Sequence, residues 1–144
     1  TNSSVETITR LVNMGIPNYL ISSSVSLVIG QRLARKVCQE CKVEDKNASP
    51  KLLKQMKLPS DLKCFVGKGC KACNNSGYKG RQGIYEILKV TEELQDGILK
   101  NLTIPEMEKV AKKEGFQSMQ EVGAGYINDG VLSLEEYQRT LFIS

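Results

Sequence analysis

Cys38-Gln39-Glu40-Cys41 and Cys70-Lys71-Ala72-Cys73 decide how the rest of this 144-residue chain is read. Each is a C-x-x-C, and 28 residues separate the two. A C-x-x-C lets two sulfurs of one tight turn reach the same ion, and a second turn supplies the other two. Four thiolates around one tetrahedral ion point to structural Zn²⁺, with Cys38, Cys41, Cys70 and Cys73 as the ligands. Two disulfides with one spare thiol, or a redox pair of free thiols, are the alternatives. The chain shows no export signal, and that favours metal in a reducing compartment. Cys64 is the fifth cysteine; in Leu62-Lys63-Cys64-Phe65-Val66 it falls on an apolar face and reads as a small buried hydrophobe.

The stretch between the pairs differs from its flanks. It is rich in Lys, poor in aliphatics and interrupted by Pro50, Pro59, Gly67 and Gly69. Ser49-Pro50 opens one short capped helix over Lys51 to Met56. The segment carries too little apolar surface for a core of its own, so metal binding has to supply its stability. Residues 32–81 hold 13 basic and 4 acidic residues, +9, against −5 for the remainder of a chain whose net charge is +4. Basic side chains offset an anionic thiolate centre. Nucleic-acid binding by an independent zinc-ribbon-like module is the competing explanation. It is weakened by the lack of aromatics among the lysines and of a recognisable docking helix.

Upstream, Ser3 or Ser4 caps a helix carrying Val5, Ile8, Leu11 and Val12 at helical spacing, ended by Gly15. Pro17 opens a second helix. Val25 to Val37 reads as a strand, with a helix as the competing assignment. Downstream, residues 74–83 hold three glycines and read as tight turns, and Ile84 to Val90 reads as a strand. The loop matches neither phosphate-cradling pattern, G-x-x-x-x-G-K-[ST] or G-x-G-x-x-G. Helices then follow, capped by Thr91, by Thr103 and by Ser133 in a Ser133-Leu134-Glu135-Glu136 box, with a further one over residues 118–128. Glu92, Glu93, Glu135 and Glu136 read as solvated helix starts that suit the macrodipole. The expected fold is α+β, mainly helical, with short strands, a small tetracysteine zinc-binding subdomain and a C-terminal helical subdomain.

Composition excludes several chemistries. The chain contains no His, so imidazole catalysis and His-ligated metal are ruled out within it. No run of 18 apolar residues exists, and a transmembrane helix is therefore not expected. The chain begins at Thr1 inside a helical pattern, which reads as an excised piece.

Five motifs in register resemble the secretion ATPase family of type II secretion and type IV pilus assembly motors, closer to the pilus branch. They are residues 8–15 (Ile-Thr-Arg-Leu-Val-Asn-Met-Gly), residues 31–36 (Gln-Arg-Leu-Ala-Arg-Lys) running into the first cysteine pair, the second pair, residues 77–86, and Ser133-Leu134-Glu135-Glu136. The resemblance implies four segments. Residues 1–37 would be the C-terminal edge of a RecA-like ATPase core, and 38–73 the tetracysteine zinc subdomain. Residues 74–90 would be a turn and strand returning to the core, and 91–144 a helical C-terminal subdomain. Thr1-Asn2 would match the end of the family's histidine box. The full-length parent would be a hexameric ATPase binding ATP and Mg²⁺, cytoplasmic and peripheral to the inner membrane. Its partners would be neighbouring motor subunits and an inner-membrane platform protein. Gln39-Glu40 departs from a commonly Pro-containing C-x-x-C interior, and Gln120 and Val122 are less charged than is usual there.

The P-loop and acidic boxes of that family would lie before Thr1. Phosphoryl transfer needs a phosphate cradle and a placed Mg²⁺, so the segment itself is expected to have no catalytic residue and no ATP turnover. Arg32, Arg35 and Arg81 are the candidate contacts to a subunit, a platform partner or a nucleotide, against bracing or solvated roles. Ile8, Leu11 and Leu20 are expected to expose surface meant for a missing RecA sheet.

Overall fold

The computed structural model describes residues 3–142. The expectation for Thr1-Asn2 therefore lies outside the described residues. The chain divides into two compact units, Thr1–Gly30 with Tyr85–Met119, and Gln31–Ile84 with Gln120–Ser144. Architecture is α+β, with short strands and, among the described residues, seven α-helices.

In the first unit, α1 (Ser4–Asn13) starts where the Ser3 side chain accepts the Glu6 N–H, and ends before Gly15, whose φ is +92°. Pro17 precedes α2 (Asn18–Ser24). Thr91 caps α4 (Glu92–Leu99), and a Thr103–Glu106 capping box opens α5 (Ile104–Lys113). These four helices pack on one another, and Val5, Ile8, Ile21, Leu94, Ile98 and Met107 fill their core with Leu88. Ile8 is therefore buried at 1% exposure, contrary to the expectation that it faces a missing sheet. Its position on the apolar stripe of α1 turns it toward α5, not outward.

The strand reading of residues 25–37 prevails over the helix, as β1 (Leu27–Val37). The other long strand, β4 (Tyr78–Lys89), starts earlier than the sequence suggests. Much of the glycine stretch is thus strand and not tight turns: of its three glycines Gly77 and Gly80 take positive φ and Gly83 does not. The two strands form a two-stranded sheet. The Val90 N–H donates to the Ser26 carbonyl, Gly30 lies beside Glu86, and Gly80 lies beside Lys36. Numbers fall on one strand as they rise on the other, which is antiparallel pairing.

In the second unit, β2 (Lys42–Glu44) pairs antiparallel with β3 (Phe65–Gly67), in register Lys42↔Gly67, Val43↔Val66 and Glu44↔Phe65. Between them lies α3 (Pro50–Gln55), capped by Ser49. This stretch does bury a few side chains: Leu53, Met56, Leu58 and Cys64 are all below 8% exposure. The expectation that it has no core thus needs correcting to a small one. The unit also holds all but the first residue of α6 (Met119–Asn128), and α7 (Leu134–Tyr137), which widens into a π-helical turn over Gln138–Phe142.

Candidate metal centre

Strand β1 ends at Val37, which delivers Cys38; Cys41 directly precedes β2. The β2–β3 ladder then carries the chain back, and the Lys68 N–H donates to the Cys41 carbonyl at 3.0 Å. That places the second knuckle over the first. Cys70 caps and Cys73 ends a single 3₁₀ turn, Lys71–Cys73, closed by Asn74 and Asn75 in left-handed conformations. Asparagine tolerates that region better than other non-glycine residues. Gly67 and Gly77 cross backbone to backbone: a Cβ on Gly67 would lie 2.0 Å from the Gly77 carbonyl oxygen. No larger residue fits there without moving a loop that holds two of the sulfurs.

The four sulfurs all lie within 4.8 Å of one another. Sγ–Sγ separations are 3.8 Å for Cys38–Cys70, 3.9 Å for Cys41–Cys73 and 3.7 Å for Cys70–Cys73. A tetrahedron with metal–sulfur bonds of about 2.3 Å has edges of about 3.8 Å. The same separations are nearly twice a disulfide bond, and all five cysteines are free thiols. Cys38 and Cys73 are buried, Cys41 and Cys70 half-buried, so the cage is closed by protein on two corners. These residues could hold a metal ion, and their chemistry suits a borderline-soft divalent one.

Backbone donors prepare the sulfurs for negative charge. Gly69 donates to the Cys41 sulfur, and both Cys70 and Gly77 donate to that of Cys73, each at 3.3 Å. Burial disfavours the Cys73 thiolate, but the N–H groups of Cys70 and Gly77 outweigh it and bring this thiol down to about 6. At Cys41 burial prevails; with the neighbouring thiols it pushes the group up to about 11 despite the Gly69 N–H. Ionised cysteine is the form that binds metal, and of these two thiols Cys73 is the one its surroundings favour in that form. Cys64 stands apart, buried at 2%, its thiol pushed up by burial and by the charge of Asp45. It is the small buried hydrophobe that the sequence suggests.

The three candidate arginines separate. Arg32 donates from Nη1 to the Thr140 carbonyl at 3.1 Å. Arg81 is exposed on β4. Arg35 is built into a network: its guanidinium lies 4.1 Å over the Tyr78 ring, and both its N–H and its side chain donate to Glu136. Arg139 grips the same carboxylate at 2.7 and 2.8 Å. Glu136 is 0% exposed, which overturns its reading as a solvated helix start. Burial opposes its charge, yet the hydrogen bonds from Arg139 and Arg35 win and hold it down at about 2. Ser133 does cap α7, accepting the Glu136 N–H at 3.1 Å, but the Glu136 side chain turns to the arginines and does not close the box. The Ser133 hydroxyl also meets the Tyr78 hydroxyl at 2.8 Å.

One polar centre gave no signal in the sequence reading. Glu86 on β4 is 1% exposed and has no cation beside it among the described residues. Its carboxylate accepts the Ser4 N–H at 2.7 Å, the Ser4 hydroxyl at 2.6 Å and the Met119 N–H at 2.7 Å. Ser4 and Met119 are the first residues of α1 and α6, so one carboxylate satisfies free donors at two helix starts. The only available hint was an acid among apolar neighbours at an inward strand position, Ile84-Tyr85-Glu86-Ile87-Leu88.

Among the described residues no helix is long and apolar enough to cross a membrane. Residues 1–139 match the family model described as type II/IV secretion system protein. The chain is similar to the type IV pilus assembly ATPase PilB of Pseudomonas aeruginosa, 43% identical over 143 residues, covering 96% of this chain and 25% of that protein. It is 40% identical to the PilB of Acinetobacter baylyi over 144 residues, again 25% of the relative. Type II secretion system ATPase E of Vibrio cholerae is 37% identical over 140 residues, 96% of this chain and 28% of that protein. The chain thus spans about a quarter of the length of these relatives.

Proposed function

Because the chain belongs to the type II/IV secretion system protein family, we propose that it is the non-catalytic, zinc-stapled region of a motor ATPase that drives pilin or pseudopilin assembly. The parent works as a hexameric ring, cytoplasmic and peripheral to the inner membrane, with ATP and Mg²⁺ bound in segments outside these residues. Residues 1–37 form the C-terminal edge of its ATPase core, 38–73 the zinc subdomain, 74–90 the return to the core and 91–144 the helical subdomain. Neighbouring subunits and an inner-membrane platform protein are the partners; of the candidate arginines Arg81 is exposed for such a contact, while Arg32 and Arg35 are already engaged by Thr140 and Glu136.

The observation that supports this reading most is the thiolate cage in a chain whose relatives are named as pilus and secretion ATPases. Cys38, Cys41, Cys70 and Cys73 would hold Zn²⁺, which supplies a cross-link and no reactive centre: four protein ligands leave no open coordination position. The cysteines' own part is to position four sulfurs, and the N–H groups of Gly69, Cys70 and Gly77 help them carry charge.

The test is a paired assay. The longer polypeptide is expected to hydrolyse ATP, and the 144-residue chain to contain one zinc and turn over no ATP. ATP hydrolysis by the purified short chain, or a longer protein with no nucleotide activity, would overturn the proposal. Salt-dependent binding of DNA or RNA by the short chain would replace it with a nucleic-acid module.

A further inference from the structure

The chain that leaves β2 and returns to β3 is apolar on its inner side and charged on its outer side. Leu53, Met56 and Leu58 are buried, while Lys46, Lys51, Lys54, Lys57 and Lys63 are all exposed. Asp61 is the single acid in residues 46–63, so this excursion carries +4. None of the five ammonium groups has an ion pair or a hydrogen bond among the described residues.

Three of these charges sit where the fold penalises them. The Asp45 N–H donates to the Cys64 carbonyl at 2.8 Å and extends the β2–β3 ladder by one step. The next positions on the two sides are Lys46 and Lys63, and like charges facing each other across a ladder destabilise it. Lys51 lies in the first turn of α3, where the helix dipole disfavours a cation, and that turn holds no acid to offset it. The thiolate centre does not account for them either. Lys46 and Lys63 lie at the end of the ladder away from Cys41, four positions beyond the Lys42↔Gly67 pair, or about 13 Å along the strands. The screening length in physiological salt is only about 8 Å. Cations kept unpaired against their local electrostatics point to an anionic partner outside the chain.

We propose that the face formed by Lys46, Lys51, Lys54, Lys57 and Lys63 binds the headgroups of an anionic phospholipid bilayer. The choice of a bilayer rests on the motor reading above, which sets the parent beside a membrane, and on the cations themselves. Residues 46–63 contain no arginine and no aromatic residue. Forked recognition of a carboxylate or a base edge calls for arginine, and stacking on single-stranded nucleic acid calls for open aromatic rings. Ammonium groups on flexible stems are point charges that need no fixed geometry in their partner. A layer of anionic headgroups supplies dense negative charge without register. With Leu53, Met56 and Leu58 turned inward, the contact is electrostatic and weakens as salt rises.

Vesicle co-sedimentation tests the proposal on the 144-residue chain, with phosphatidylcholine alone and with phosphatidylglycerol mixed into it. Binding is expected only to the vesicles that contain phosphatidylglycerol, and salt is expected to release it. Lys51→Gln, Lys54→Gln and Lys63→Gln together are expected to weaken binding by about 100-fold, whereas Lys51→Arg, Lys54→Arg and Lys63→Arg together should keep it. Lys100→Gln, Lys109→Gln and Lys113→Gln remove the same charge from other exposed positions and are expected to cost less than about tenfold. Binding to neither vesicle or to both alike would overturn the lipid face, as would equal losses in the two glutamine variants. Tighter binding to duplex DNA than to the anionic vesicles at the same salt would overturn it too. ATP hydrolysis by the longer polypeptide is measured separately. An active motor whose chain ignores lipid sinks the lipid face alone, and lipid binding beside an inactive longer protein sinks the motor reading alone.

Discussion

The two units solve the same problem with different materials. The helical unit, residues 3–30 with 85–119, packs Val5, Ile8, Ile21, Leu94, Ile98 and Met107 into a conventional apolar core and gathers two helix starts on one buried carboxylate. The unit of residues 31–84 with 120–142 buries less aliphatic surface between its cysteine pairs. Its apolar core, Ile84, Ile127, Leu132, Leu134, Tyr137 and Leu141, is joined by four sulfurs around one point and a carboxylate gripped by two arginines. Hydrophobic burial is non-directional and tolerates substitution. A tetrathiolate cage and a buried ion network are directional, and losing one member strands the others. The contrast predicts that single changes damage the second unit abruptly and the first by degrees, except at Glu86.

Metal loss carries the largest effect. Structural zinc sites in small domains are worth about 10–16 kcal/mol of binding free energy, more than the stability of most whole domains. Cys38→Ser, or chelation, is expected to remove hydrogen-exchange protection from residues 38–77. The 120–142 segment should also lose part of its protection, because the Val37 N–H donates to the Val131 carbonyl and Gln39 donates to that of Gly130. The helical unit should keep its slow-exchanging core. Uniform loss across both units would show that the two do not differ in their dependence on metal.

Glu86→Ala is the next largest, and it strikes the unit that otherwise tolerates change. Three donors lose their acceptor in a buried place, which costs about 3–5 kcal/mol. Urea melts should show a clear drop in midpoint, and Glu86→Gln a smaller one because the amide oxygen still accepts. Indifference to both would mean the bracket contributes nothing.

Glu136 brings pH into the comparison. Its folded value is held at about 2, below the ordinary 4.5. A depressed carboxylate contributes stability that is fully present above its unfolded value and is lost as pH falls through its folded one. The shift corresponds to about 3 kcal/mol. The stability gap between wild type and Glu136→Gln should be widest at pH 6 and narrow steadily from pH 4.5 downward. A gap that stays constant with pH would deny the network its ionic character. Arg81→Ala stands at the small end: an exposed arginine should change stability by less than about 0.5 kcal/mol.

Much of this could be read from the chain because the signals are local. Ser3, Ser49, Thr91, Thr103 and Ser133 each cap the helix that follows, over three residues of sequence. The cysteine spacing is equally local and equally legible. Glu86 and Glu136 were not, because acids default to solvent and their partners are remote: Ser4 is 82 residues away, Met119 33 and Arg35 101. Strands β2 and β3 are three residues each, too short for a period to show. The Gly77–Gly83 stretch misled for a physical reason, since glycine marks close backbone approach as well as turns.

Native mass spectrometry of the chain purified without added metal, followed by denaturing mass analysis under thiol-blocking conditions, tests most directly whether four sulfurs and one ion hold the second unit. The expected result is one zinc per chain, with Cys38, Cys41, Cys70 and Cys73 reduced and released for alkylation only when the ion is removed. Two disulfides among these cysteines, or a folded and protected second unit with no metal bound, would contradict it.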